Sequence, residues 1–279
     1  MKLLSWGNYP KIENKVLCFE QEKELQDIIN RYDELIPYGN GKSYGDSALS
    51  QNIIRVKPYN YFLHFDESTG LLHVQAGVLL SAILDVFIPR GWFLKITPGT
   101  KLITVGGAIA SDVHGKNHHK EGCFSECVKM FRLMLADGSI VECNRRENTE
   151  LFRATCGGMG LTGVILDAGI FLKKISSSQI IQKIVKTANL KESFEAFEEH
   201  KDANYSVGWI DSLAKGYDMG KGLITTGDFS DDEEINYKSG KKINIPFYFP
   251  HGILNTTAVQ AFNFIYYERV RKKINEQLI

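Results

Sequence analysis

Residues 98–119 read PGTKLITVGGAIASDVHGKNHH, and the reading of this run decides the fold. It holds a Pro-Gly turn, a Gly-Gly pair, Asp112 and three histidines, with little hydrophobic periodicity. A backbone that needs Gly99, Gly106, Gly107 and Gly115 so close together bends tightly or approaches another group closely. Two more glycine-rich runs flank it: GNGKSYGDS at 39–47 and CGGMGLTG at 156–163. Three such runs point to one extended, flat, phosphate-bearing ligand gripped at several points.

Taken singly, the runs say less. Gly39-Asn40-Gly41 after a strand hints at a dinucleotide fingerprint, but a third glycine at the right spacing and an immediate helix are missing. A P-loop fails too, because Lys42-Ser43 lacks the preceding glycine pattern. What remains is a loop of exposed backbone N–H groups, a nest able to hold a diphosphate; by itself the loop reads as an ordinary tight turn.

The chain has 279 residues, enough for two domains and a sizeable core. Lys plus Arg and Asp plus Glu are both 33, so the net charge is zero. A general nucleic-acid binder needs a basic surface, and no nucleic-acid partner is expected. Five Cys, an odd number without framework spacing, suit a reducing cytoplasm. The opening MKLLSWGNYPKIENK has no sustained apolar core and does not read as a signal peptide.

Between Lys242 and Glu268 no side chain carries a fixed charge, but Pro246, Pro250, Gly252 and several Asn speak against a spanning helix. The aromatics Phe247, Tyr248, Phe249, Phe262, Phe264, Tyr266 and Tyr267 precede the cations Arg269, Arg271, Lys272 and Lys273. That pairing would suit a peripheral position at the inner membrane face. A core-facing strand and helix with a solvated basic end is the preferred reading, and the expected location is cytoplasmic.

Periodicity and turn signals predict strands over 15–20, 35–38, 53–56, 62–66 and 71–75, and helices over 21–32 and 79–90. Leu25, Ile28 and Ile29 would face inward from the first helix; Leu80, Ile83, Leu84 and Phe87 from the second. A hairpin of 128–135 and 140–143 turns at Asp137-Gly138. Asn148 would cap a helix running through Ala154, and 163–172 reads as a strand. The class is α+β rather than a βαβ series. After Lys174 the composition turns polar, with one helix over 190–200, and a domain boundary is expected there. DFSDDEE at 228–234 reads as an acidic surface loop with little reason to be ordered.

Together, GNGKSYGDS, PGTKLITVGGAIASDVHGKNHH and ELFRATCGGMGLTGVI at 150–165 resemble the FAD-binding domain of the vanillyl-alcohol-oxidase/para-cresol-methylhydroxylase superfamily. Within it the run VGGAIASDVHGKNHH most resembles the decaprenylphosphoryl-ribose 2′-oxidase subfamily. The resemblance covers 5–174 and, more weakly, the remainder. It implies an FAD-binding PCMH-type domain of two subdomains over 1–174, and over 175–279 part of a substrate or cap domain.

The resemblance also implies roles. Pro37, Tyr38, Gly39, Asn40, Gly41, Lys42, Ser43, Tyr44, Gly45, Asp46 and Ser47 would cradle the FAD diphosphate. Gly99, Thr104, Val105, Gly106, Gly107, Ser111, Asp112, Val113 and His114 would line the cofactor from the second side. Gly157, Gly158, Gly160 and Ile165 would pack along its adenine and ribose end. Some relatives attach FAD through a His in the first loop. Aligning on Asp46 puts Lys42 there, and an amine cannot make that link, so noncovalent FAD is expected. Tyr44, His114 and Lys116 would face the substrate side of the flavin. Tyr44 would be a proton relay helped by the Lys116 cation, because a phenol alone is a weak base at neutral pH; otherwise it packs on the flavin. His114 would act there or simply position the cofactor.

The implied reaction is oxidation of a secondary alcohol of a sugar or a polyprenyl-phosphate-linked sugar, with a sugar lactone or alditol as the alternative substrate. Oxygen or a quinone would accept the electrons, and a short-chain reductase would act on the keto product. Family members run on to a catalytic Lys near their C-terminal end, whereas this sequence stops at Ile279. A truncated chain that binds FAD weakly, self-associates and turns over slowly or not at all is therefore expected. A rival reading takes His114, His118, His119, Cys123 and Cys127 as a zinc site; the ligands are crowded and lack a second Cys pair, so no metal is expected.

Overall fold

The computed structural model describes residues 3–237 and 252–270 and the backbone of 274–278. The chain divides into two compact units, Met1–Lys174 and Ile175–Ile279. Their composition is α+β. Phe247, Tyr248, Phe249, Pro246, Pro250, Arg271, Lys272 and Lys273 lie outside the described residues.

The first unit carries two sheets. β1 (Lys15–Cys18), β2 (Ile36–Tyr38) and β3 (Asn52–Arg55) form a parallel sheet in the order β1-β3-β2, and α1 (Glu22–Ile29) follows β1. α1 starts where the Glu24 carboxylate accepts the Glu20 and Gln21 N–H groups at 2.8 and 3.2 Å. Leu25 is buried, with Ile28 and Ile29 packed beside it.

β4 (Phe62–Asp66), β5 (Leu71–Gln75), β6 (Trp92–Leu94), β7 (Val128–Met134), β8 (Ile140–Asn144) and β9 (Val164–Lys174) build an antiparallel sheet. Its order is β4-β5-β9-β7-β8, and β6 joins the far end of β9. β9 is central, and VILDAGIFLKK is close to a continuous apolar run because both faces are covered. α2 (Leu80–Phe87) buries Leu80, Ile83 and Phe87, while Leu84 is half-buried. It stops short of residue 90 because the chain tightens into a 3₁₀ turn, Ile88–Arg90, around Pro89. α3 (Val105–Ala110), α4 (His118–Glu121) and α5 (Thr149–Thr155) complete the unit. Asn148 sits at the start of α5 but does not cap it. Its φ is 48°, and its amide donates instead to the Glu142 carbonyl at 2.7 Å.

One residue of β9 breaks its apolar run. Asp167 is 0% exposed. The registers set Gln75 and Arg132 beside it on the flanking strands. Arg132 Nε donates to Asp167 Oδ2 at 2.9 Å, and Arg132 Nη2 bonds the same oxygen. His73 Nε2 lies 2.7 Å from Asp167 Oδ1. Arg132 Nη2 also reaches Glu22 Oε1 on α1 at 2.6 Å, and Tyr59 donates to the same Glu22 oxygen at 3.3 Å. The two carboxylates hold the Arg132 guanidinium well above its usual range, the bond to Asp167 contributing most. This polar chain ties α1, β5, β7 and β9 together.

The second unit was legible at its helices, and among the described residues its strands were not. β10 (Ile180–Thr187), β11 (Tyr205–Ile210), β12 (Gly222–Phe229) and β13 (Ile274–Leu278) form an antiparallel sheet in the order β11-β12-β10-β13. α6 (Leu190–Glu199) packs Ala196 and Phe197 against Val185 and Ile224. α7 (Thr256–Glu268) sets Tyr266 and Tyr267 against Ile184, Leu223 and Trp209. It leaves Phe262, Phe264 and Ile265 exposed. No helix among the described residues is long and apolar enough to cross a membrane. Of DFSDDEE, Asp228 and Phe229 close β12, and hydrogen bonds fasten the segment at both ends. Asp228 Oδ1 accepts the Asn204 N–H at 2.7 Å, and the Glu234 carbonyl accepts the Ser178 N–H at 2.9 Å.

Candidate functional site

All three glycine-rich runs lie in the first unit, and hydrogen bonds and packing bring them together. The first, 39–47, leaves the end of β2. Tyr38 is buried beneath it, its hydroxyl donating to the Leu4 carbonyl at 2.7 Å, and burial pushes its phenol pKa up. Asn40 donates through Nδ2 to the Leu102 carbonyl at 2.8 Å, tying the first run to the second. Gly39 backs onto Thr104 so closely that a Cβ would stand 2.5 Å from its Oγ1.

The Gly-Gly pair of the second run does not bend the chain; it opens α3. Thr104 Oγ1 caps the helix by accepting the Gly107 N–H at 3.1 Å. The N–H groups of Val105 and Gly106 go to the carbonyls of Val78 and Ala76 at 2.8 and 2.9 Å. Val105 is fully buried in the core. The close approach that the glycines permit is therefore to the chain after β5, and the first turn of α3 spends its N–H groups inside the protein.

Beyond α3, Asp112 accepts from the Ser125 N–H at 2.8 Å and its hydroxyl at 3.1 Å, with Ser111 and Val113 half-buried beside it. His114 and Lys116 are exposed, as is Gly99. The Lys116 N–H bonds the Thr97 carbonyl at 3.1 Å. Buried Asn117 bridges Thr97 N and Lys95 O at 3.1 and 2.7 Å. The third run hangs on the end of α3: Gly157 N donates to Ile109 O at 3.1 Å and Met159 N to Ala110 O at 2.8 Å. Gly158 bonds back to Thr155, Gly160 lies against Pro37, and Ile165 is in the core.

The first run stands apart in its backbone. Among the described residues no N–H of 39–45 finds an acceptor within the chain, although 39–43 are half-buried. A row of backbone donors left unpaired within the chain is able to bind an anionic group. Residues 37–45 include no acidic side chain, and half-buried Lys42 has no carboxylate within ion-pair distance among the described residues. Sequence reasoning missed a further group, at the start of the second run. Thr97 Oγ1 is buried without a hydrogen-bond partner among the described residues, next to the Pro98–Gly115 bridge. A lone Thr before Pro-Gly carries no signal that would have singled it out. The donor row and the unpaired Lys42 cation suit a dinucleotide diphosphate, and the Thr97 hydroxyl is a separate unpaired group beside the second run.

Among the described residues no three His, Cys, Asp or Glu side chains are grouped to hold a metal ion. His114 and His118 have ring centroids 5.3 Å apart, and Cys123 Sγ is 3.9 Å from His118 Nδ1. Cys127 is buried, and burial pushes its thiol up to about 12, so it offers no thiolate at neutral pH. In the third run, burial and then the Asp112 carboxylate push Cys156 to about 12 as well.

Residues 14–144 match the family described as FAD binding domain. This segment is similar to an FAD-binding domain. The chain is 30% identical to decaprenylphosphoryl-beta-D-ribose oxidase of Mycolicibacterium smegmatis over 96% of its own length and 62% of that protein's. It is 26% identical to human Delta(24)-sterol reductase over 62% of this chain and 33% of the relative. Identity to mouse L-gulonolactone oxidase is 32% over 46% of this chain and 29% of the relative. The chain thus spans under two thirds of each of these relatives. The matched segment holds the first run, the second run and the hairpin of β7 and β8. The third run falls just beyond the matched segment.

Proposed function

We propose that the chain is an FAD-dependent oxidoreductase that oxidises a secondary alcohol of a sugar or of a polyprenyl-phosphate-linked sugar. The row of unpaired N–H groups on 39–45 carries this reading: a diphosphate laid along it would satisfy donors that nothing else in the first unit does. Bound FAD supplies the hydride acceptor, its N5 atom. Tyr44, 85% exposed at the open end of the row, would relay the hydroxyl proton, passing its own phenol proton to solvent as it accepts the alcohol's while the carbinol C–H breaks and the C=O forms. The Lys116 cation would stabilise negative charge on the phenol oxygen during this relay or hold a substrate phosphate, and His114 would act beside them or position the cofactor. Residues 175–279 are read as substrate domain. Oxygen or a quinone would collect the electrons, and a short-chain reductase would consume the ketone.

Similarity to L-gulonolactone oxidase favours a sugar lactone as the second substrate class. Anaerobic flavin reduction separates the readings. Decaprenylphosphoryl-β-D-ribose should bleach the flavin bands, and Tyr44→Phe should slow bleaching by about 100-fold or more. Bleaching by L-gulonolactone alone would move the substrate class. A flavin that no alcohol bleaches would leave an FAD-binding chain without turnover.

We further propose that FAD is held noncovalently, because Lys42 stands where a linking His would. Acid precipitation should leave the yellow colour in the supernatant. Colour that stays with the pellet would refute noncovalent attachment.

A further inference from the structure

The N-terminal segment ahead of β1 is fastened to the first glycine run at several points. The Trp6 N–H donates to the Ser43 carbonyl at 3.0 Å, and Leu4 accepts from the Tyr38 hydroxyl at 2.7 Å. Gly7 comes so close that a Cβ there would stand 3.3 Å from the Tyr44 carbonyl. Ser5 is buried, its hydroxyl donating to the Tyr9 carbonyl at 3.2 Å and its own carbonyl accepting the Asn8 N–H at 3.1 Å. This hook ends with the Trp6 indole against the Tyr44 ring, centroids 5.5 Å apart and planes at 78°.

Both rings are costly to leave in water. Trp6 is 62% exposed and Tyr44 85%, and the ring of each meets the other edge to face. Aromatic pairs prefer this geometry. Neither ring belongs to a core cluster, so the fold does not need the contact for packing. Its effect is local: it narrows the directions open to a Tyr44 side chain that otherwise stands free in solvent.

We propose that Trp6 is a positioning residue, holding the Tyr44 phenol in the orientation from which it takes the substrate proton. This rests on the reading of Tyr44 given above. Misplacing a reacting group by about 1 Å costs roughly 100-fold in rate. Loss of the indole should therefore slow flavin reduction by about tenfold or more, while the exposed site keeps the fold and the flavin content intact.

The test is a double-mutant cycle of Trp6→Ala and Tyr44→Leu in the FAD-loaded chain, read two ways. Electron donation from a nearby phenol quenches flavin fluorescence, so the flavin lifetime reports where the Tyr44 ring sits without any substrate. Trp6→Ala should change that lifetime in the parent chain and leave it unchanged in the Tyr44→Leu background, and Trp6→Phe should restore the parent value. Anaerobic reduction by decaprenylphosphoryl-β-D-ribose should show the same pattern in its limiting rate, with the half-saturating concentration nearly constant. Equal effects of Trp6→Ala in both backgrounds, or no effect in the parent chain, would overturn the proposal. If Tyr44→Leu itself changes neither lifetime nor rate, Tyr44 is not at the flavin, and the functional reading fails along with the inference built on it.

Discussion

Arg132→Met is expected to lower the unfolding free energy of the first unit by about 3 kcal/mol or more. The reason is Asp167, a carboxylate with no exposure in the central strand β9. Taking a charge from water into a protein interior costs several kcal/mol, and the cost is offset only while partners hold the charge. Arg132 gives Asp167 two bonds to one oxygen, whereas His73 holds the other at 2.7 Å. Removing the guanidinium leaves His73 alone beside the carboxylate and also frees Glu22. Breaking such pairs usually costs about 3–5 kcal/mol, and the remaining His73 contact puts the loss near the lower end. In thermal unfolding the first unit should melt roughly 10 °C lower. Arg132→Met combined with Asp167→Leu should recover most of the loss, because apolar replacement of the whole pair is often neutral or stabilising. A single variant as stable as the parent would show that the ion pair does not hold the sheet.

Gly115→Ala is expected to release the flavin. A Cβ at this position would stand 1.8 Å from the Thr97 carbonyl oxygen, a backbone atom that cannot swing aside. The two segments must part, and the Lys116–Thr97 hydrogen bond and the Asn117 bridge would go with them. Strain of this kind costs about 1–3 kcal/mol in an ordinary core position and more where backbone is struck. Here the displaced atoms flank His114, Lys116 and the orphaned Thr97 hydroxyl. FAD affinity should fall by tenfold or more, since each 1.4 kcal/mol is a factor of about ten. Far-ultraviolet circular dichroism should stay near that of the parent, because the sheets lie away from the clash. Titration of apoprotein with FAD reads the affinity directly, and an unchanged value would place the second run away from the cofactor.

The elements of the first unit were largely legible because their signals are local. Phe62–Asp66 and Leu71–Gln75 are set apart by the Ser68-Thr69-Gly70 turn, and the hairpin over Asp137-Gly138 carries a strong turn dipeptide. α3 was hidden by its own glycines. Gly106 and Gly107 are poor helix formers, and the segment is helical because Thr104 caps it and the chain after β5 accepts its N–H groups. β10 was missed because IIQKIVKT groups its apolar and polar residues in pairs rather than alternating, with Lys183 and Lys186 on opposite faces, and reads as polar next to a strong helix. The Glu22–Arg132–Asp167–His73 chain could not be read at all. Its members are separated by up to 145 residues in sequence, from Glu22 to Asp167, and only the register of β5, β9 and β7 makes them neighbours.

The candidate site shows the same division. Glycine spacing exposed the three runs, but which N–H groups stay free was decided by tertiary pairing. Pairing consumes the donors at the start of α3 and leaves those of 39–45. The Trp6–Tyr44 contact likewise joins residues 38 apart whose rings lie outside any periodic element.

The central claim is that the first glycine run holds the FAD diphosphate. The most direct measurement is FAD binding to apoprotein at rising salt, in the parent chain and in Lys42→Met, followed by the flavin absorption bands after gel filtration. The account predicts one FAD per chain in the parent, with tighter binding than in Lys42→Met and a weaker salt dependence in the variant, because one cation fewer faces the diphosphate. A parent chain that takes up no FAD would contradict it.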